Sequence, residues 1–100
     1  MLFSVSVVTV GDSESQIDPV AEVVQRLADA GVAYQVNGMS TVIEGAWSAI
    51  MPVLDDAARD LRGRHDRVLW TITIDDHRDA ANRLHDSVAE VQQRIQPAAG

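Results

Sequence analysis

Residues 37–47 read "NGMSTVIEGAW", and the fold turns on how this stretch is placed. Asn37 and Gly38 both tolerate positive φ, so the pair signals a tight hairpin. The run after it, "MSTVIEGA", is rich in β-branched residues and predicts a strand; "VAYQV" at 32–36 predicts its antiparallel partner. Alternation then puts Ser40, Val42 and Glu44 on one side and Met39, Thr41 and Ile43 on the other. Ile43 is the natural core residue, so Glu44 is expected on the opposite side. There it either meets water or faces something that needs a negative charge.

Working outward, "LFSVSVVTV" alternates Phe3, Val5 and Val7 with Ser4 and Ser6, which predicts a strand. The polar stretch Gly11 to Gln16 predicts a loop. Asp18 and Pro19 suit the N-cap and first position of a helix, and Val20, Val23, Val24 and Leu27 form its apolar stripe. Gly31 suits the position just past the helix end. A second helix is expected from about Ser48 to Leu61, with Ile50, Leu54, Ala57, Ala58 and Leu61 inward and Pro52 limiting or bending its start. "VLWTITID" at 68–75 predicts a fourth strand. "DDHRDAANRLHDSVAEVQQRI" predicts a C-terminal helix with Leu84, Val88, Val91 and Ile95 on one stripe, followed by a short tail.

The order is βαββαβ plus a helix. It predicts an α+β, ferredoxin-like sandwich with a four-stranded antiparallel sheet and strands one and three at its centre. One domain over residues 1–96 and a tail at 97–100 are expected from 100 residues without an internal linker.

Composition narrows the function. The formal net charge is −7, lysine is absent and the arginines are scattered, which argues against nucleic acid and anionic membrane as partners. Zero cysteines exclude disulfides, thiolate metal sites and cysteine nucleophiles. No apolar run is long enough to span a membrane, and the N-terminal stretch alternates rather than reading as a signal peptide, so a cytoplasmic protein is expected.

Two helices cover one face of such a sheet. Phe3, Val5, Val7, Val68, Trp70, Ile72 and Ile74 are expected beneath them. The other face then carries Ser4, Ser6, Val8, Leu69, Thr71 and Thr73. That surface is too apolar to stand alone in water, which predicts homo-oligomerisation to a dimer or tetramer. A pocket is expected where sheet, helix and partner meet, with Ser6, Thr73 and Glu44 orienting a ligand.

The strand beginning "SV", then "VAEVVQRLADAGVAYQV", "MSTVIEG" with Trp47 behind it, and "ITIDDHRD" before the last helix resemble the small thiamine-binding protein family (YkoF-like). The resemblance spans nearly the whole chain. It implies the ferredoxin-like fold, homo-oligomers, and non-catalytic binding of thiamine or its hydroxymethylpyrimidine portion. Matching positions are Met39, Ser40, Thr41 and Glu44, with Tyr34 before the hairpin and Asp75 and Asp76 after the fourth strand. A carboxylate can share a proton with a pyrimidine nitrogen, and a thioether or phenol can pack on a ring face.

Plainer roles compete for several of these residues. Glu44 also suits a solvated strand end, and Asp75 and Asp76 suit a helix cap. His77, Asp79 and His85 lack a set of metal ligands, so no metal is expected. Ser4 and Ser6 have no activating histidine. The reading is a non-enzymatic binder of thiamine or a related pyrimidine, with no catalytic cofactor. A structural or regulatory homo-oligomer without a small ligand is the alternative, and an enzyme using Glu44 and the terminal aspartates is the weakest.

Overall fold

The computed structural model describes residues 1–11, 17–78, 91, 94 and 95. Its elements run β1 (Leu2–Val10), α1 (Ile17–Asp29), β2 (Ala33–Val36), β3 (Thr41–Glu44), α2 (Trp47–Arg64) and β4 (Arg67–Asp75). The four strands form one antiparallel sheet in the order β2-β3-β1-β4, with both helices on one face. This is the α+β ferredoxin-like fold, with β1 and β3 at the centre as their sequence predicts. The expected C-terminal helix and the expected loop from Gly11 to Gln16 lie mostly outside the described residues. Of the expected stripe, Val91 and Ile95 are both exposed, and the Ile95 N–H donates to the Val91 carbonyl.

Cross-strand register sorts the side chains. Phe3 stands beside Ile43 and Ile74, Val5 beside Thr41 and Ile72, Val7 beside Trp70, and Thr9 beside Val68. These positions face the helices. Phe3, Val5, Val7 and Ile43 join Val23 and Leu27 of α1 and Ile50, Leu54, Ala57 and Leu61 of α2 in the buried core. Each large apolar side chain there contributes about 1.5–3 kcal/mol relative to exposure.

Helix α1 begins at Ile17, so Asp18 and Pro19 lie within its first turn rather than at the N-cap and first position. Four further details differ from the sequence reading. First, the hairpin closes through Asn37 N–H donating to the Ser40 carbonyl, so Gly38 and Met39 form the tip rather than Asn37 and Gly38. The positive-φ glycines among the described residues are Gly11 and Gly31, so Gly38 turns without the positive φ that the sequence reading invoked for it. Second, α2 extends to Arg64 and passes Pro52, which sits exposed in its second turn. The missing N–H there leaves a single carbonyl near the helix start to find water. Third, Ala58 is half-buried where full burial was expected, because the α2 face centred on Leu54, Ala57 and Leu61 meets the core. Fourth, Ile72 is 36 % exposed instead of covered. It lies on β4, the sheet edge, where an apolar groove remains open between Trp70 and Ile72 on one side and Met51 and Leu54 on the other.

Candidate functional site

Neither α1 nor α2 covers the other face of the sheet. Its rows follow from register: Ala33–Glu44–Leu2–Asp75, then Gln35–Val42–Ser4–Thr73, then Ser6–Thr71, Val8–Leu69 and Val10–Arg67. Ser4 and Ser6 are half-buried, whereas Thr71 and Thr73 are exposed. Glu44 and Asp75 flank Leu2 from opposite sides, two strand spacings apart, roughly 9–10 Å. Asp76 is exposed immediately after β4. Charge on this face therefore runs from Arg67 at one end to a carboxylate pair at the other.

Several of the expected residues surround a cleft at the hairpin end of the sheet. β1 pairs with β3 only from Leu2 to Val5, but with β4 along its full length to Val10. The short β2–β3 hairpin therefore stops while β1 continues. A cleft of about 220 Å³ opens in that step. Its floor is β1 from Val5 to Val8, its rim is the hairpin from Asn37 to Thr41, and its roof is Val20 and Val23 of α1.

Four expected residues meet in this cleft: Ser6, Met39, Ser40 and Thr41. Met39 stands at the tip with 93 % of its surface exposed, while Thr41 is buried on the helix-facing side and Ser40 is half-buried. The structure places the others elsewhere. Glu44 is half-buried at the far end of β3, four residues from Ser40, or roughly 13 Å along the strand. Asp75 shares its row, and Asp76 follows Asp75 in the chain. Thr73 sits one row inward beside Ser4. Tyr34 pairs with Ile43 on edge strand β2 and so lies on the helix side, 37 % exposed and away from the cleft. The cleft also uses residues that the sequence reading did not place in a ligand site: Val20 and Val23 of the helix stripe, Val8 of the outer face, and Asn37 of the turn. Nothing in their spacing separates a core valine from a cleft valine.

The helix layer holds most of the ion pairs. Arg26 pairs with Asp60, Arg64 with Glu22, and Arg59 with Asp55 at 3.0 Å. The hydrogen bond from Arg64 holds the Glu22 carboxyl below its ordinary pKa, against a smaller opposing effect of burial. The first two pairs tie α1 to α2, the third lies within α2, and no charged side chain lines the cleft. Among the described residues, no group of three His, Asp or Glu side chains could hold a metal ion, and no helix is long and apolar enough to cross a membrane.

A ferredoxin-like α+β chain with an uncharged cleft beside its central strand fits the general form of a small-molecule binder. The comparisons with known proteins make the class specific. The thiamine-binding protein family matches residues 3–92, and the chain belongs to that family. A UPF0045 protein of Methanothermobacter thermautotrophicus is 36 % identical over 78 residues, covering 76 % of this chain and 79 % of that one. A UPF0045 protein of Mycobacterium bovis is 32 % identical over 94 residues, covering 93 % and 90 %. Among solved structures, a hypothetical protein of Methanocaldococcus jannascii superposes with a TM-score of 0.81 at 22 % identity, covering 92 % of this chain and 95 % of that one. A thiamine biosynthesis/salvage candidate from Thermotoga maritima gives 0.77 at 20 % identity, covering 90 % and 96 %.

Proposed function

We propose that this protein binds thiamine or its hydroxymethylpyrimidine portion without converting it, with the pyrimidine held in the cleft between β1 and the hairpin tip. The observation that carries this reading is the gathering of Ser6, Met39, Ser40 and Thr41 around one uncharged hollow in a chain of the thiamine-binding family. Valines supply an apolar surface for a flat ring, and the Met39 thioether can adapt to its edge or face. The acidic end of the outer face, at Glu44, Asp75 and Asp76, draws a thiazolium cation at longer range. Thr73 and Tyr34 have supporting places in this reading, beside the acidic end and behind the hairpin. The outer face itself is covered by a second copy of the chain, giving a homodimer or homotetramer.

Calorimetry and thermal melts with thiamine and with hydroxymethylpyrimidine test the assignment. Saturable heat and a rise in Tm that grows with ligand concentration are expected for both. Glu44→Gln should weaken thiamine more than the neutral pyrimidine, and Ser40→Ala should weaken both. No heat and no melting shift at millimolar ligand would end the proposal.

A second reading, an assembly without a small ligand, draws on the exposed pair Val8 and Leu69, at 43 % and 44 %. In that case Thr73→Val changes association and nothing else.

A further inference from the structure

The direction of the β1 backbone at the cleft adds a recognition mechanism. The Gly45 N–H donates to the Met1 carbonyl, so Met1 turns its peptide groups toward β3. Backbone groups alternate sides along an antiparallel strand. Phe3 and Val5 therefore also face β3, opposite Ile43 and Thr41. The same parity turns the N–H and C=O of Val7 toward β3. The register with β3, however, ends at Val5 and Thr41, and the chain beyond Thr41 is already turning through Ser40 to the tip. On its β4 side Val7 faces Trp70, whose row is the one not closed by hydrogen bonds under this parity. Among the described residues no strand stands opposite the Val7 backbone, and Val7 lines the cleft.

We propose that the N–H and C=O of Val7 are the reading head of the cleft, selecting planar heterocycles with a hydrogen-bond acceptor next to a donor. This rests on the pyrimidine-binding reading above and says how that ring is chosen. A 4-aminopyrimidine carries such an edge. Its ring N3 accepts from the Val7 N–H, and its exocyclic amine donates to the Val7 carbonyl. The ring then continues the plane of the sheet where β3 leaves off. One ring face lies under Val20 and Val23 of α1, and the Met39 side chain closes the tip. A buried donor and acceptor that must both be matched discriminate far better than an apolar pocket does, because a ligand lacking either group leaves one of them unpaired.

The test uses the full chain and three ligands: hydroxymethylpyrimidine, its analogue without the 4-amino group, and its analogue with C–H in place of N3. Titration calorimetry is paired with amide NMR of the 15N-labelled protein. Expected are a loss of at least about tenfold in affinity for each analogue, and a Val7 amide that moves and exchanges more slowly on saturation. If the parent pyrimidine binds but both analogues match it, or the Val7 amide is unmoved, the Val7 mechanism is wrong while pyrimidine binding stands. If neither the parent pyrimidine nor thiamine binds, both proposals fall together.

Discussion

Gly45 shows how much a single position can carry. A Cβ built there would lie 2.9 Å from Cδ1 and 3.1 Å from Cγ1 of Ile50, which is itself fully buried. The glycine lets the end of β3 pass directly over the first turn of α2. Gly45→Ala is expected to destabilise the protein by about 1–2 kcal/mol in urea unfolding, since the Ile50 side chain has little room to yield. Sequence shows the glycine but not its neighbour, so the residue reads there as mere punctuation. Glu22 gives a pH-dependent prediction. Its folded-state pKa is lowered from the ordinary 4.5, so its bond to Arg64 stabilises the fold above that value and is lost as pH falls through the lower one. Glu22→Gln should cost roughly 0.2–1 kcal/mol at pH 7, less in high salt, because Arg64 is largely exposed. The difference from wild type should shrink as pH falls below the ordinary carboxyl range, and a series of urea melts from pH 7 into acid checks this.

At the scale of elements, α1 ends by a route its sequence anticipates. Gly31 has φ +72°, its N–H donates to the Ala28 carbonyl, and the Val32 N–H donates to the Leu27 carbonyl. That pair of bonds is a Schellman termination. A Cβ at Gly31 would meet nothing within 4 Å, so the cost of substitution is backbone strain alone. Gly31→Ala should lose about 1 kcal/mol, and Gly31→Asn clearly less, in chemical denaturation. The hairpin was less legible. Asn37-Gly38 carries the right chemistry for a turn, yet the observed tip is Gly38-Met39. The β2–β3 pairing fixes which pair turns: Val36 stands opposite Thr41 and Asn37 closes on Ser40, which leaves Gly38 and Met39 to turn. That one-residue shift also sets the step in which the cleft opens.

Over the whole molecule, the sheet presents Val8, Leu69 and the serine and threonine rows away from the helices. The assembly proposed above predicts a molar mass in analytical ultracentrifugation that is a multiple of 10.9 kDa. Leu69→Glu should shift it toward the monomer with little change in helical circular dichroism, because the side chain points away from the core. A wild-type monomer at working concentration would remove that part of the proposal. The sequence by itself determined the element order, the two faces of β1 and β4, and the core stripes, because periods of two and near four are local properties of a chain. Likewise local is the glycine stop after α1. Only the tertiary structure decided which of those residues meet. Ser6 and Thr41 share a cleft, while Glu44, on the same strand as Thr41, stands at the sheet's other end. The physical reason is length: β1 outruns β3 by five residues, and no periodicity in either strand records where its neighbour stops.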